Sequence, residues 1–179
     1  MGAGMTAALT PLWAESATLT AHHDATTPYV VLPSADDPRL ILPARPHRAA
    51  ATILRSLRDA SSWRARARNI ALRGVLVTGA HTNKLPDPPL LDAVTPLLPS
   101  GDYVCGAHLG PARANRKPVL AIATRDGQLI AFAKWGVNDL TDELVRREAT
   151  ALGSLDGLRH VDVPRLLGLV EHGGHPAVV

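Results

Sequence analysis

The chain has 179 residues, of which 46% are apolar, 3% aromatic and 20% charged, and its formal net charge is +3. This apolar content is enough for a buried core and excludes a largely disordered chain, while no run reaches the roughly 18 apolar residues of a membrane-spanning helix. A single cysteine, Cys105, excludes an internal disulfide and is typical of a reducing cytoplasm.

Residues 1–28 are predicted to form a flexible tail. The segment lacks the basic start and the sustained apolar run of a secretion signal. Its adjacent histidines, His22 and His23, are more typical of solvated side chains than of a metal site. We therefore expect a cytoplasmic protein with no metal ligands in this tail.

Residues 29–100 are predicted to form a small unit that opens with a β-hairpin. The β-prone runs "YVVLPS" (29–34) and "RLILPA" (39–44) flank an Asp-Asp-Pro turn. From His47 onward, apolar residues recur at three- and four-residue spacing with arginines mostly between them, which predicts an amphipathic helix. No motif in this unit indicates its role.

The second half of this unit is rich in proline. A second helix is expected after the Ser61-Ser62 pair, and "GVLVTG" (74–79) is β-prone. The stretch "LPDPPLLDAVTPLLPSG" (85–101) has too many prolines for one long helix, although Asp87-Pro88 can start a short one. We expect the boundary between two structural units in this stretch.

Arginines are concentrated in the same unit. They are Arg45, Arg48, Arg55, Arg58, Arg64, Arg66, Arg68 and Arg73, with Asp59 as the only acid among them. Such a patch could bind nucleic acid or another anionic partner, but only Trp63 offers a stacking aromatic, which favours solvated helix faces instead. The alternative stays open that the chain is a non-catalytic interaction module whose Arg-rich helices bind an anionic partner.

The segment 101–179 has a different pattern, with strands, one main helix and two more strands. "KPVLAIAT" and "QLIAFAK" are β-prone runs joined by a turn that contains Asp126-Gly127. "NDLTDELVRREATALGSL" reads as a helix that Asn138 or Thr141 can cap. The final residues contain two β-prone runs around "EHGGH", a turn. An α+β unit with a small antiparallel sheet and one main helix is predicted.

These residues resemble the ATP-binding N-terminal lobe of the protein-kinase-like superfamily, and more specifically its aminoglycoside phosphotransferase-like branch. "GAHLG" is similar to the glycine-rich phosphate loop, "IAFAK" to the strand that ends in the phosphate-binding lysine, and "LVRREATAL" to the helix that carries its glutamate. The resemblance implies that the chain is the nucleotide-binding part of an ATP-dependent phosphotransferase that acts on a hydroxyl of a small molecule.

The resemblance implies four residues that bind the cofactor ATP. Lys134 would contact the α- and β-phosphates while Glu148 pairs with its ammonium group, and Gly106 and Gly110 would let backbone N–H groups approach phosphate oxygens. A lysine is a compact charge for clustered phosphates, but its flexible stem needs a fixed anion to hold its position.

The same family needs a catalytic loop, written H-x-D-x-x-x-x-N, and a later aspartate that binds magnesium. The stretch from His160 to Asp162 fits the first three letters, but Leu167 stands where the asparagine should be. We therefore expect no catalytic residue in this chain, absence of the C-terminal catalytic lobe, and magnesium only in a full-length form. The chain is expected to be a fragment that is inactive alone, with weak or no ATP binding.

Overall fold

The computed structural model describes residues 26–34, 37–57, 74, 82–110, 113–155 and 163–179. These residues form an α+β fold in which eight antiparallel strands make one sheet and three α-helices pack on it. None of the helices in these ranges is long and apolar enough to cross a membrane.

The strands follow the chain as two blocks that meet in the middle of the sheet. Their bounds are β1 (Thr26–Pro33), β2 (Pro38–Pro43), β3 (Thr82–Pro86), β4 (Tyr103–His108), β5 (Val119–Thr124), β6 (Leu129–Trp135), β7 (Leu169–His172) and β8 (His175–Val178). The order across the sheet is β3-β1-β2-β4-β5-β6-β8-β7. The helices are α1 (His47–Ser56), α2 (Pro89–Val94), which continues into a short 3-10 turn, and α3 (Asp139–Ser154).

The first predicted hairpin and helix are confirmed. β1 and β2 pair antiparallel around the Asp-Asp-Pro segment. Helix α1 begins at His47 and buries Ala50, Ile53 and Leu54 of the predicted apolar stripe, together with Ala49, whereas the fourth predicted member, Leu57, follows the helix as its C-cap and is only partly buried. The short helix expected after Asp87-Pro88 is also present as α2, with Pro89 in its first turn.

Strand β3 was not predicted from the sequence. Its residues, "TNKLP", show no alternation of apolar and polar side chains. They pair with β1 at the edge of the sheet, where Pro86 is tolerated because an edge strand has one side free of ladder hydrogen bonds. Only the pairing with β1, which the local sequence does not encode, makes this segment a strand.

The second half of the chain confirms the predicted order of elements. β5 and β6 form the hairpin around Asp126-Gly127, and Gly127 has a positive φ of 98° that favours glycine. α3 follows β6, and β7 and β8 form the closing hairpin around Gly173-Gly174.

Both faces of the sheet are covered. On one face, α2 packs its buried leucines and Val94 on a core that includes Ile122 and Trp135. On the other face, α1 packs on a second core that includes Val104, Ala121 and Ala123, while α3 packs on Val178. The helices α1 and α3 therefore lie side by side on the same face.

The sheet is continuous across the boundary expected within residues 85–101. β2 pairs with β4, with Leu40 opposite His108 and Ile41 opposite Ala107, and the backbone N–H of Leu109 donates to the carbonyl of Arg39. Each predicted unit thus contributes its own block of strands to a shared sheet.

Several predictions from the sequence lie outside the described residues. They concern residues 1–25 of the predicted tail, the helix after Ser61-Ser62, most of the β-prone run 74–79, and the stretch from His160 to Asp162. Residues 26–28, which were also predicted to belong to the tail, instead begin β1 and pair with β3.

Candidate functional site

Lys134 lies near the end of β6, in a row of residues that crosses four strands. The register places it opposite Val119 of β5 on one side and Val178 of β8 on the other, and Val119 in turn lies opposite His108 of β4. Residues directly opposite one another share a face of the sheet. Lys134 therefore projects from the face that carries α1 and α3, and its side chain is 41% exposed.

Glu148 reaches Lys134 from the middle of α3. The two charged groups form a hydrogen-bonded ion pair. The helix is fixed at this position because Val145 and Ala149, on either side of Glu148, pack on Val178, the strand neighbour of Lys134. The resemblance predicted this pairing, and the two side chains are in contact.

The start of α3 is fixed by a complete capping box. The side chain of Asn138 accepts from the N–H of Thr141, and the hydroxyl of Thr141 accepts from the N–H of Asn138. Both cap candidates therefore act together. The Asn138 amide also donates to the carbonyl of Ala114, which ties the loop between β4 and β5 to the start of the helix.

Lys117 is a second cation on Glu148, and sequence reasoning missed it. Its Nζ donates to Oε2 of Glu148 at 3.0 Å, while Lys134 contacts Oε1. The chain contains only three lysines, Lys84, Lys117 and Lys134, among 19 basic residues. Use of lysine at two positions in a chain that otherwise prefers arginine is the signal that could have identified the pair.

The two lysines hold Glu148 in its charged form. Burial alone would raise the pKa of Glu148, but the hydrogen bonds and charges of Lys134 and Lys117 outweigh it, so that the pKa is lowered from its usual value. The trio carries two positive charges and one negative charge, which leaves a net positive charge where the lysines meet the helix.

A cleft of about 540 Å³ opens beside this trio, between α1 and α3. Lys134 and Glu148 line it together with His108 and Arg165, whereas Lys117 does not line it. The apolar part of the wall includes Leu57, Val119, Ile130, Phe132, Leu152 and Val178. A concave site with a mostly apolar lining and a few converging charged groups is the usual form of a small-molecule site.

Gly106 lies inside β4, which corrects its expected position in a phosphate loop. A Cβ at this glycine would stand 2.7 Å from Cγ2 of Ile53 in α1 and 2.8 Å from the carbonyl oxygen of Ile41 in β2. The missing side chain therefore lets α1 pack closely on the sheet. Contact of Gly106 with phosphate stays a prediction without support from this geometry.

Gly110 lies in the loop between β4 and β5, as expected. Its φ is 68°, a left-handed conformation that favours glycine. Among the described residues, the nearest atom to a Cβ at this position would be Cε1 of His108, at 3.8 Å.

Trp135 and Gly136, which follow Lys134, help to position the end of β6. Trp135 is buried in the core beneath the sheet and donates from Nε1 to the carbonyl of His172. A Cβ at Gly136 would overlap Oδ1 of Asp142, a buried carboxylate that also contacts Nδ1 of His175. The absence of a side chain at residue 136 thus allows the first turn of α3 to approach the end of β6.

Cys105 shows no sign of reactivity. It is fully buried next to Tyr29, and burial, assisted by the charge of Asp87, raises the pKa of its thiol to about 12. A thiol of this kind stays protonated and inert.

The structure gives little support to the other candidate features, a metal site and the arginine-rich patch. Among the described residues there is no group of three or more His, Cys, Asp or Glu side chains that could hold a metal ion. Of the eight arginines in the basic patch, Arg45, Arg48 and Arg55 are described and exposed, and the remaining five lie outside the described ranges. Binding of an anionic partner by that patch stays a hypothesis.

No protein-family model matches this sequence, and comparisons with curated proteins and with solved structures found no match.

Proposed function

We propose that residues 103–179 bind ATP and are the nucleotide-binding part of a phosphotransferase that acts on a hydroxyl of a small molecule. The observation that carries the proposal is the ion pair between Lys134 and Glu148 at the wall of the cleft. Transfer itself would also require a catalytic loop of the kind written H-x-D-x-x-x-x-N.

The pair has the properties that a phosphate-binding lysine requires. An ammonium group has three donors, and Glu148 is the only hydrogen-bond or ion-pair partner of Lys134 within the described ranges. Lys134 itself lines the cleft. Glu148 holds the flexible side chain in position, and Lys117 keeps the second oxygen of Glu148 occupied, so that Lys134 stays available to an incoming anion.

The arrangement of elements supports the same proposal. The loop with Gly110, the strand with Lys134, the helix with Glu148 and the closing strand pair follow one another in the order that carries the resemblance. The strand with Lys134, the helix with Glu148 and the last strand line one cleft, whose wall carries both charged and apolar side chains, whereas Gly110 is not among the described residues that line it. Such a cleft suits a ligand with both an anionic and an apolar part.

A bound ATP would supply the γ-phosphoryl group for transfer. Lys134 would hold its α- and β-phosphates, and Glu148 would position Lys134. Magnesium would accompany ATP during transfer. We place this activity in the cytoplasm, because the single cysteine is a buried free thiol.

An ATP titration followed by nuclear magnetic resonance tests the proposal, because it detects weak binding. We expect saturable shifts of resonances from the cleft, including those of Val119 and Phe132, and loss of these shifts in Lys134→Ala. Arg55→Ala, a change on the exposed side of α1, is the matched control and should bind as the unmodified chain does. Shifts that persist in Lys134→Ala would overturn the proposal.

A further inference from the structure

The first unit of the chain reaches the cleft through α1. Ala121 lies opposite Phe132 in the sheet, and Lys134 lies opposite Val178. Phe132 and Lys134 are two residues apart on β6 and therefore share a face. On that face α1 covers Ala121, and α3 covers Val178. Phe132 and Lys134 therefore lie on the face that carries both helices, and both line the cleft.

Close approach of α1 is built into the sheet. Gly106 lies opposite Ala121, and its missing Cβ leaves room for Ile53 of α1. One turn further along the chain, Ser56 ends the helix and Leu57 caps it, and both line the cleft. The close packing at Gly106 therefore determines where the end of α1 stands relative to Lys134.

The wall near α1 differs chemically from the end that holds Lys134. Leu57 and Phe132 are apolar and line the cleft together, and Phe132, the only phenylalanine of the chain, is 37% exposed. An exposed aromatic ring and an aliphatic side chain in the wall of one cleft offer two apolar surfaces to a flat, weakly polar group. A nucleobase is such a group, and polyphosphate is not.

We infer that Leu57 is a specificity-determining residue that contacts the base of a bound nucleotide, so that the first unit completes the site. This inference rests on the proposed nucleotide function. It also assigns a role to part of the segment 29–100, in which no sequence motif was found. Leu57 and Phe132 would hold the base while Lys134 holds the phosphates.

The test compares ATP with inorganic tripolyphosphate, which carries the charge of the phosphates without a base. Leu57→Trp fills the space beside Phe132, and Leu57→Ala removes the wall. Both should weaken ATP binding about tenfold, since contact with one large apolar side chain is worth this much, and both should leave tripolyphosphate binding unchanged. Arg55→Trp, with the same new side chain on the exposed side of α1, should change neither.

The outcomes separate this inference from the proposed function. If the unmodified chain binds neither ATP nor tripolyphosphate, the proposed function fails. The unfolding transitions of the two Leu57 variants show whether they are folded. If the unmodified chain binds ATP, and if both folded variants bind ATP equally well, the role of Leu57 is overturned. If the variants lose ATP and tripolyphosphate alike, Leu57 acts on the phosphate end and the inference is wrong.

Discussion

Lys134 and Glu148 come from different elements, a strand and the helix that follows it, and their charged groups meet at the wall of a single cleft. Lys117 binds the second oxygen of the same carboxylate from the loop between β4 and β5. Two of the three lysines in the chain therefore converge on one glutamate. This arrangement leads to predictions about charge, packing and ligand binding.

The first prediction concerns the pH dependence of stability. The pKa of Glu148 is lower in the folded chain than its usual value of 4.5. At pH values between the folded and the usual pKa, Glu148 thus stays ionised in the folded state but is protonated in the unfolded chain. The stabilisation from the ion pairs is complete above the usual pKa and is lost as the pH falls through the lower, folded value.

Urea unfolding at neutral and acidic pH measures this effect. Glu148→Gln should show a smaller loss of unfolding free energy on acidification than the unmodified chain. Glu143→Gln is the control, because Glu143 pairs with Arg147 on the exposed surface of the same helix. Identical pH dependence in the unmodified chain and in Glu148→Gln would contradict the pairing.

The second prediction is that Lys117 and Glu148 are energetically coupled. Both side chains are 24% exposed, so their interaction is less screened by water than that of a surface pair. A double-mutant cycle with Lys117→Ala and Glu148→Ala should give a coupling of about 1 kcal/mol in the free energy of unfolding. The exposed pair of Arg147 and Glu143 should give roughly half as much or less. A coupling of zero would show that the contact has no energetic weight.

The third prediction is that Gly106 is a packing residue. Gly106→Ala would place a Cβ against Ile53 and the backbone of Ile41 and should destabilise the fold by about 1–3 kcal/mol. Gly153→Ala in α3 is the matched control. Among the described residues, the nearest neighbour of the new Cβ is Leu166 at 3.6 Å, and alanine favours a helix, so stability should be equal or higher. Thermal and urea unfolding measure the stability of both variants. Equal stabilities for the two variants would refute the packing role of Gly106.

Local features were predictable from the sequence. The Asp126-Gly127 turn, the cap at Asn138 and the apolar stripe of α1 depend on residues within a few positions of one another. The ion pair of Lys134 and Glu148 followed from the resemblance, which supplied the order of strand and helix.

Features that depend on distant contacts were not predictable. β3 is a strand only because β1 lies beside it, and the sheet is continuous because β2 pairs with β4. Gly106 was assigned to a loop because the resemblance matched "GAHLG" to a glycine-rich phosphate loop, whereas the missing side chain makes room for Ile53 of α1, which is far from it in sequence. The role of Lys117 was not predicted because its partner, Glu148, lies on α3, and two strands, β5 and β6, separate the two residues along the chain.

The most direct test of the central claim is the labelling of lysines by an acyl phosphate of ATP. Such a reagent transfers its acyl group to a lysine amine beside the bound phosphates and releases ATP, and mass spectrometry can assign the product among Lys84, Lys117 and Lys134. We predict that Lys134 is labelled preferentially, that excess ATP suppresses this labelling, and that Glu148→Ala reduces it. Uniform labelling of the three lysines that ATP does not suppress would contradict the proposal that Lys134 binds nucleotide phosphates.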